Sequence, residues 1–419
     1  MKRILFLVEA VTLAHVVRPL VLARSLNPNL YEIYWASEPR YQSVVGKVPF
    51  ATRLLHSINC DRFLEIAADG KYPYDASIIR EYVREEIKLI EEIKPDVVIS
   101  DFRHSAIIST QVTNVPCITI TSAYWSPYSL LQLPIPEHAF QRFLGAKLCS
   151  LLYPIAIKPM YSLFFARYSL PVNQVLQEYG LASLKLDLRH VHTAGNYTLY
   201  ADIPELIPTS ELPVTHRFIG PILWSPNVTL PTWWNKLPND KPIIYLSLGS
   251  SGRQELLPSL LEKLSKLKVT VIAITAGRSE LTSVPDNAFI TEYISGQEAV
   301  NRANLIICNG GSPTTYQALA AGKPVIGIAS NVDQYLNMQA ICSAGAGLLV
   351  RSDSLNASTL TEAVMKILSQ PRYTQVAQHL AEKISRYDAV ASFHEIVSTA
   401  TASWQHHSQP MLSLKEQHV

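Results

Sequence analysis

Short apolar runs alternate with longer stretches of helical period along nearly the whole chain. Arg3–Val8, Tyr31–Trp35, Val97–Ser100, Pro116–Thr121 and Tyr197–Tyr200 have the length and composition of buried strands. Between them, Val16–Ser25 reads as a helix, and Ser77–Ile93 as a long amphipathic helix with mixed charge on its outer face. Residues 127–136 are proline-rich and read as a loop, and residues 138–180 read as helical. A second series opens at Ile243–Leu248 and continues through a helix at Leu256–Leu267 to strands at Val269–Thr275, Phe289–Glu292, Leu305–Cys308 and Val325–Ala329. Strands alternating with helices predict parallel sheets covered by helices. The tract 218–240 carries Pro221, Pro226, Pro231 and Pro238 and reads as a linker. The expected organisation is an N-terminal half over 1–217, the linker 218–240, a C-terminal half over 241–389, a last helix over 390–405 and a polar tail over 406–419, with no short-period repeat.

The segment 305–334 has the richest local chemistry. Leu305–Cys308 is a strand, Gly310-Gly311 a turn, Ser312 the expected N-cap of a short helix and Pro313 its first residue. Gly322 and Pro324 close that helix, and Val325–Ala329 is the next strand. A bare glycine loop beside unpaired helical N–H groups is a site for a diphosphate. The same pattern also serves as a plain tight connection. Asp333-Gln334, following the second strand at the edge where open α/β sheets bind ligands, could grip sugar hydroxyls or could be a helix cap and a solvated amide.

The chain is 48% hydrophobic and 17% charged, as large buried sheets require. A net charge of +2 and the lack of a basic run argue against a nucleic-acid partner. Cys60, Cys117, Cys149, Cys308 and Cys342 are odd in number, scattered and without metal spacing, which points to buried thiols in a reducing, cytoplasmic compartment. In Met1–Val8 the apolar core is short and Glu9 ends it, so the segment reads as a strand rather than a leader. No stretch has the make-up of a transmembrane span: 105–136 is interrupted by prolines and hydroxyls, and Leu148–Phe165 by Pro154, Lys158 and Pro159. The latter leaves peripheral membrane contact open beside a plain buried helix pair.

Five pieces in order resemble the family 1 glycosyltransferases: Ala14-His15-Val16-Val17-Arg18-Pro19, with one residue more before the proline than the family pattern; Pro95-Asp96-Val97-Val98-Ile99-Ser100-Asp101; Phe218-Ile219-Gly220-Pro221; Tyr245-Leu246-Ser247-Leu248-Gly249-Ser250; and residues 293–334. The resemblance implies the GT-B fold, an α/β architecture of two Rossmann-like domains whose parallel sheets face each other across a cleft. It implies acceptor binding in the first half, nucleotide-sugar binding in the second, and a last helix that crosses back. By resemblance His15 is the general base and Asp101 its orienting carboxylate, although His104 is a rival partner. The implied donor site comprises Ser250, Tyr293 stacking on the base, the Ile294 backbone, Asn309, Gly311, Ser312, Thr314, Thr315, Gln317 and the sugar-binding pair Asp333 and Gln334. The family has no resident cofactor and needs no metal; its co-substrate would be a UDP- or dTDP-hexose.

Three departures stand out. Asn309 replaces a histidine that donates to phosphate, Gln317 replaces a ribose-binding glutamate, and Ser295-Gly296 replaces Pro-Gln, with Gln297 one place later. The leading expectation is an inverting, metal-independent transferase that moves a hexose to a hydroxyl of a small hydrophobic acceptor, acting as a monomer or weak homodimer. The aromatic stretch Tyr124–Phe165 is the expected acceptor wall. The alternatives are a non-catalytic nucleotide-sugar-binding protein on the same fold, a glycolipid-forming transferase, or a sugar-nucleotide epimerase.

Overall fold

The computed structural model describes residues 1–68, 71–133, 158–278 and 281–403. Among these, the first half forms a parallel sheet of seven strands: β1 (Lys2–Val8), β2 (Tyr31–Ala36), β3 (Ala51–Arg53), β4 (Val97–Asp101), β5 (Cys117–Thr121), β6 (Tyr197–Tyr200) and β7 (His216–Phe218). The second half forms a parallel sheet of six: β8 (Ile243–Ser247), β9 (Thr270–Ile274), β10 (Ala288–Thr291), β11 (Leu305–Cys308), β12 (Val325–Ala329) and β13 (Gly347–Arg351). The spatial orders are β3-β2-β1-β4-β5-β6-β7 and β10-β9-β8-β11-β12-β13. Each sheet therefore reverses its winding once, between β1 and β4 in the first and between β8 and β11 in the second. At such a point the two following loops diverge to opposite faces and leave a crevice for ligands at the carboxyl edge.

Both faces of the first sheet are buried, and strand alternation sends side chains to each. Ile4, Phe6 and Val8 of β1 pack with the helix Leu13–Ser25, while Leu5 and Leu7 pack with Leu89, Ile90 and Ile93 of the helix Ala76–Ile93. That second helix starts where Asp75 accepts from the amides of Ser77 (2.9 Å) and Ile78 (3.0 Å), and stops at Lys94 in the left-handed region (φ 52°). The C-terminal helix, Ala389–Ser403, returns to the first sheet and buries Phe393, Val397 and Ala400 beside Phe6. Residues 404–405 of the expected last helix, the expected tail, residues 134–136 of the expected loop and residues 138–157 of the expected helical stretch lie outside the described residues.

Several bounds differ from the sequence reading. The first helix starts at Leu13 rather than Val16, and the diphosphate-type helix at Ser312, with Gly311 as its N-cap. Ser312 is thus the first helical residue and makes no capping bond. The cap after β12 is Asn331, which accepts from the amide of Gln334, so Asp333 stands in the first turn of the helix Val332–Ala344.

The carboxyl edges of the two sheets meet. The Leu13 amide, just beyond β1, donates to Ser250 Oγ just beyond β8 (3.3 Å). Tyr124 and Trp125, beyond β5, reach Asp333 beyond β12. Behind these contacts Tyr200, Ile203 and Leu206 of the first half share an apolar core with Tyr316 and Leu336 of the second and with Trp234 and Leu237 of the connecting tract.

Candidate active site

His15 and Asp101 come from opposite sides of the first switch point, one from the helix after β1 and one from the last residue of β4. His15 Nδ1 lies 2.9 Å from Asp101 Oδ1. Arg18, one helical turn beyond His15 and buried, grips the same carboxylate with two bonds, Nε to Oδ2 at 2.9 Å and Nη2 to Oδ1 at 2.7 Å. Its Nη2 also lies 3.1 Å from His15 Nδ1. A guanidinium only donates, so the two neighbours of Nδ1 ask for opposite tautomers. Both contacts involve an ionised partner, but Arg18 Nη2 is already committed to Asp101 Oδ1 at 2.7 Å, so the carboxylate at 2.9 Å is the stronger partner of Nδ1 and favours the tautomer with the proton there and Nε2 free to accept. The imidazole stacks on Phe102 (centroids 4.5 Å apart), whose backbone is in the left-handed region at φ 60°. A bulky residue rarely adopts that conformation; here it turns the chain sharply after Asp101 and lays the ring beneath the histidine.

His104, the rival partner, makes no hydrogen bond to Asp101. Its Nδ1 lies 2.6 Å from the Tyr72 hydroxyl and its Nε2 3.4 Å from His192 Nδ1. Burial holds the His104 imidazole down to about 3, helped by His15, and holds His192 well below the ordinary histidine value. Both are neutral hydrogen-bonding groups, not charges. They line a cavity of about 170 Å³ together with Phe63, Tyr72, Trp125 and Phe164, with His15, Arg18 and Asp101 at its wall. The part of the expected acceptor wall over 134–157 lies outside the described residues.

A second cavity of about 290 Å³ opens at the other switch point. Ser250, Tyr293, Ile294, Asn309, Gly311, Thr314 and Gln317 line it. Ala14, Ser251, Gly311 and Pro313 border both cavities, so the N-terminus of the helix Ser312–Ala320 stands where they join. Gly310, at φ +81°, makes the turn into that helix, and a Cβ there would come 2.7 Å from Met338 Cγ. Asn309 is anchored, its Nδ2 donating to Ser251 Oγ (3.1 Å) and its Oδ1 accepting from the Gly311 amide (3.1 Å). Gln317 Nε2 donates to the Trp224 carbonyl and to Ser225 Oγ (3.1 Å) in the connecting tract.

Other candidate residues sit elsewhere. The Thr315 hydroxyl is buried, donating within its own helix and accepting from Asn337 Nδ2 (2.9 Å). Gln334 is buried as well: its Oε1 accepts from the Ser330 amide (2.8 Å) and its Nε2 donates to the Ser251 carbonyl (3.3 Å). Asp333 and Ser312 face the first cavity. Asp333 Oδ1 accepts from Tyr124 Oη (3.1 Å) and Trp125 Nε1 (2.8 Å). Cys117, Cys308 and Cys342 are thiols that burial pushes up to about 12, so none is a nucleophile at neutral pH. Among the described residues no three His, Cys, Asp or Glu side chains gather as a metal-ligand set, and no helix is long and apolar enough to cross a membrane.

Residues 258–399 match the family model described as erythromycin biosynthesis protein CIII-like, C-terminal domain. The chain is 48% identical over 381 residues to a PGL/p-HBAD biosynthesis glycosyltransferase of Mycobacterium tuberculosis (strain H37Ra), covering 91% of this chain and 88% of that protein. It is 46% identical over 385 residues to a PGL/p-HBAD biosynthesis rhamnosyltransferase of Mycobacterium bovis (strain BCG), covering 92% and 85%. The solved spinosyn rhamnosyltransferase SpnG shares the fold with a TM-score of 0.69 at 16% identity, covering 95% of this chain and 100% of the other. That enzyme has also been solved with thymidine diphosphate and with spinosyn aglycone.

Proposed function

This chain belongs to the GT-B glycosyltransferases, in the family of the PGL/p-HBAD transferases, and from that premise we propose that it inverts a sugar, moving a hexose from a dTDP- or UDP-sugar to the hydroxyl of an aromatic, lipid-like acceptor. A rhamnose-type 6-deoxyhexose is the first donor to test, because a 46%-identical relative is named a rhamnosyltransferase. The observation that carries the reading is the His15–Asp101–Arg18 cluster in the wall of an aromatic cavity that shares Ala14, Ser251, Gly311 and Pro313 with a second cavity floored by a helix N-terminus.

The acceptor ring enters the first cavity and brings its hydroxyl to His15 Nε2. As the oxygen attacks the anomeric carbon, its proton moves to Nε2 and Asp101 stabilises the imidazolium. The bond from the anomeric carbon to the diphosphate oxygen breaks on the opposite face, which inverts the configuration. Negative charge grows on the departing diphosphate, where the amides at the start of the helix Ser312–Ala320 and the hydroxyls of Ser250 and Thr314 receive it. Asp333 Oδ2 is the acceptor for a sugar hydroxyl, since Oδ1 already serves Tyr124 and Trp125.

Purified protein is incubated with dTDP-rhamnose, UDP-glucose and a panel of alkylated phenols, and product configuration is read by NMR. The expected product has the inverted anomeric centre, and His15→Ala lowers kcat by about 10²–10⁴. A retained configuration, or an undiminished rate in the His15 variant, would overturn the mechanism.

A further inference from the structure

The site contains a charge problem. A sugar nucleotide presents an anionic diphosphate, and Asn309 stands where the resemblance calls for a phosphate-binding histidine. An amide carries no charge, and this one already holds Ser251 and the Gly311 amide. The helix N-terminus offers only partial charge. Among the described residues lining the second cavity there is one arginine and no lysine, and that residue is Arg278.

Arg278 follows β9 at the carboxyl edge of the second sheet. Its Nη1 donates to the Ser250 carbonyl (2.5 Å), on the loop that would face the diphosphate from the side opposite Gly311. Its Nη2 donates across the cleft to Asp61 Oδ1 (3.2 Å), on the helix Cys60–Ala68. The two side chains are 37% and 73% exposed, so their pairing contributes little. Exposed pairs of this kind exchange readily for a partner of higher charge and better geometry, and guanidinium forks suit phosphate oxygens.

We propose that Arg278 supplies the positive charge that Asn309 does not: on donor binding its guanidinium leaves Asp61 for the diphosphate while staying at the Ser250 loop. Asp61 is then a competitor for the cation in the donor-free enzyme. This inference rests on the donor-site reading given above.

The test is calorimetric titration of the full-length protein with UDP and dTDP, and with uridine and thymidine, which share the base and ribose but lack phosphate. Wild type is compared with Arg278→Gln, Arg278→Lys and Asp61→Asn, all surface changes with unaltered melting expected. Arg278→Gln should weaken diphosphate binding by about 10- to 100-fold, the range for a charge-assisted hydrogen bond, and leave nucleoside binding within about twofold. Arg278→Lys should fall between, and Asp61→Asn should tighten diphosphate binding. Equal diphosphate affinity in wild type and Arg278→Gln overturns the role of Arg278 alone. Failure of both diphosphates to bind wild type overturns the donor site with it.

Discussion

Asp101 serves two cationic partners, and its replacement separates structure from chemistry. Asp101→Asn leaves the Arg18 guanidinium buried without its counter-charge, and removing one partner of a buried pair typically costs about 3–5 kcal/mol. His15→Ala removes a half-buried ring with no such consequence. Asp101→Asn should therefore lose both turnover and melting temperature, whereas His15→Ala should lose turnover at nearly wild-type melting; calorimetry beside initial rates checks both. Arg18 was present in the sequence only as a letter of a motif, yet its place three residues after His15 on one helix was the available signal. A second buried cluster lies next to this one: Arg103 bonds Glu9 (2.8 Å) and Glu86 (2.6 Å). Glu86 also accepts from Ser105 and Ser109. Two carboxylates on one guanidinium leave one in excess, and burial pushes Glu9 up to about 7 against the opposing pull of Arg103. A carboxyl raised on folding binds its proton more tightly in the folded chain, so its contribution is fully present below about 4.5 and is lost as pH rises to about 7. Stability from urea titrations should fall across that window, by at most about 1.4 kcal/mol per pH unit for one proton, and Glu9→Gln should flatten the slope.

At the scale of elements, what the sequence revealed was whatever is buried on both faces. β4, β5, β6, β8, β11 and β12 were readable as apolar runs because helices cover them on each side. Of the edge strands, β10 is legible as Phe289–Glu292 although it is partly exposed, whereas β3 and β7 are three residues long and partly exposed and β13 starts at a glycine, so these three have no period to detect. Gly310 and Gly311 looked equivalent as a pair, but they do different things. Gly310 takes the left-handed turn above Met338, whereas Gly311 has φ −71° and matters because its bareness leaves the helix amides uncovered. Ser312, the expected cap, is helical instead; Gly311 already has the extended backbone a cap position needs, so the helix starts a residue earlier. The neutral His104–His192 pair could not be recognised from sequence, because the two residues are brought together only by the packing of the short helix Leu188–His192 against the loop after β4. A lone histidine carries no mark of its partner.

Among the described residues the two sheets are joined on one side by a largely apolar wedge, within which Tyr316 donates to Asp202 (2.8 Å), and at the cleft by polar contacts that include those at Leu13, Asp61 and Asp333. Interfaces between domains of one chain are mobile unless large and apolar, and here the wedge of Tyr200, Ile203, Leu206, Tyr316 and Leu336 acts as the fixed end. The polar contacts are unequal. The Leu13 amide to Ser250 is a long neutral bond, and the Asp61–Arg278 pair is exposed, worth roughly 0–1 kcal/mol. Tyr124 and Trp125 both donate to the Asp333 carboxylate, and bonds to a charged acceptor contribute about 1.5–3 kcal/mol each. Among the three contact points at the mouth of the cleft, magnitude therefore favours those at Asp333 as the ones that hold it closed without donor. The double substitution Tyr124→Phe with Trp125→Phe removes a hydroxyl and an indole N–H while keeping aromatic bulk. It should open the cleft, read as a larger radius of gyration in small-angle scattering without donor, while Asp61→Asn leaves scattering unchanged. If Asp333 then takes a sugar hydroxyl on its remaining oxygen, a saturating nucleotide sugar should restore part of the closure, because the ligand bridges the same two lobes. Scattering curves for the double variant that overlay the wild type in both states would show instead that the apolar wedge alone holds the halves together.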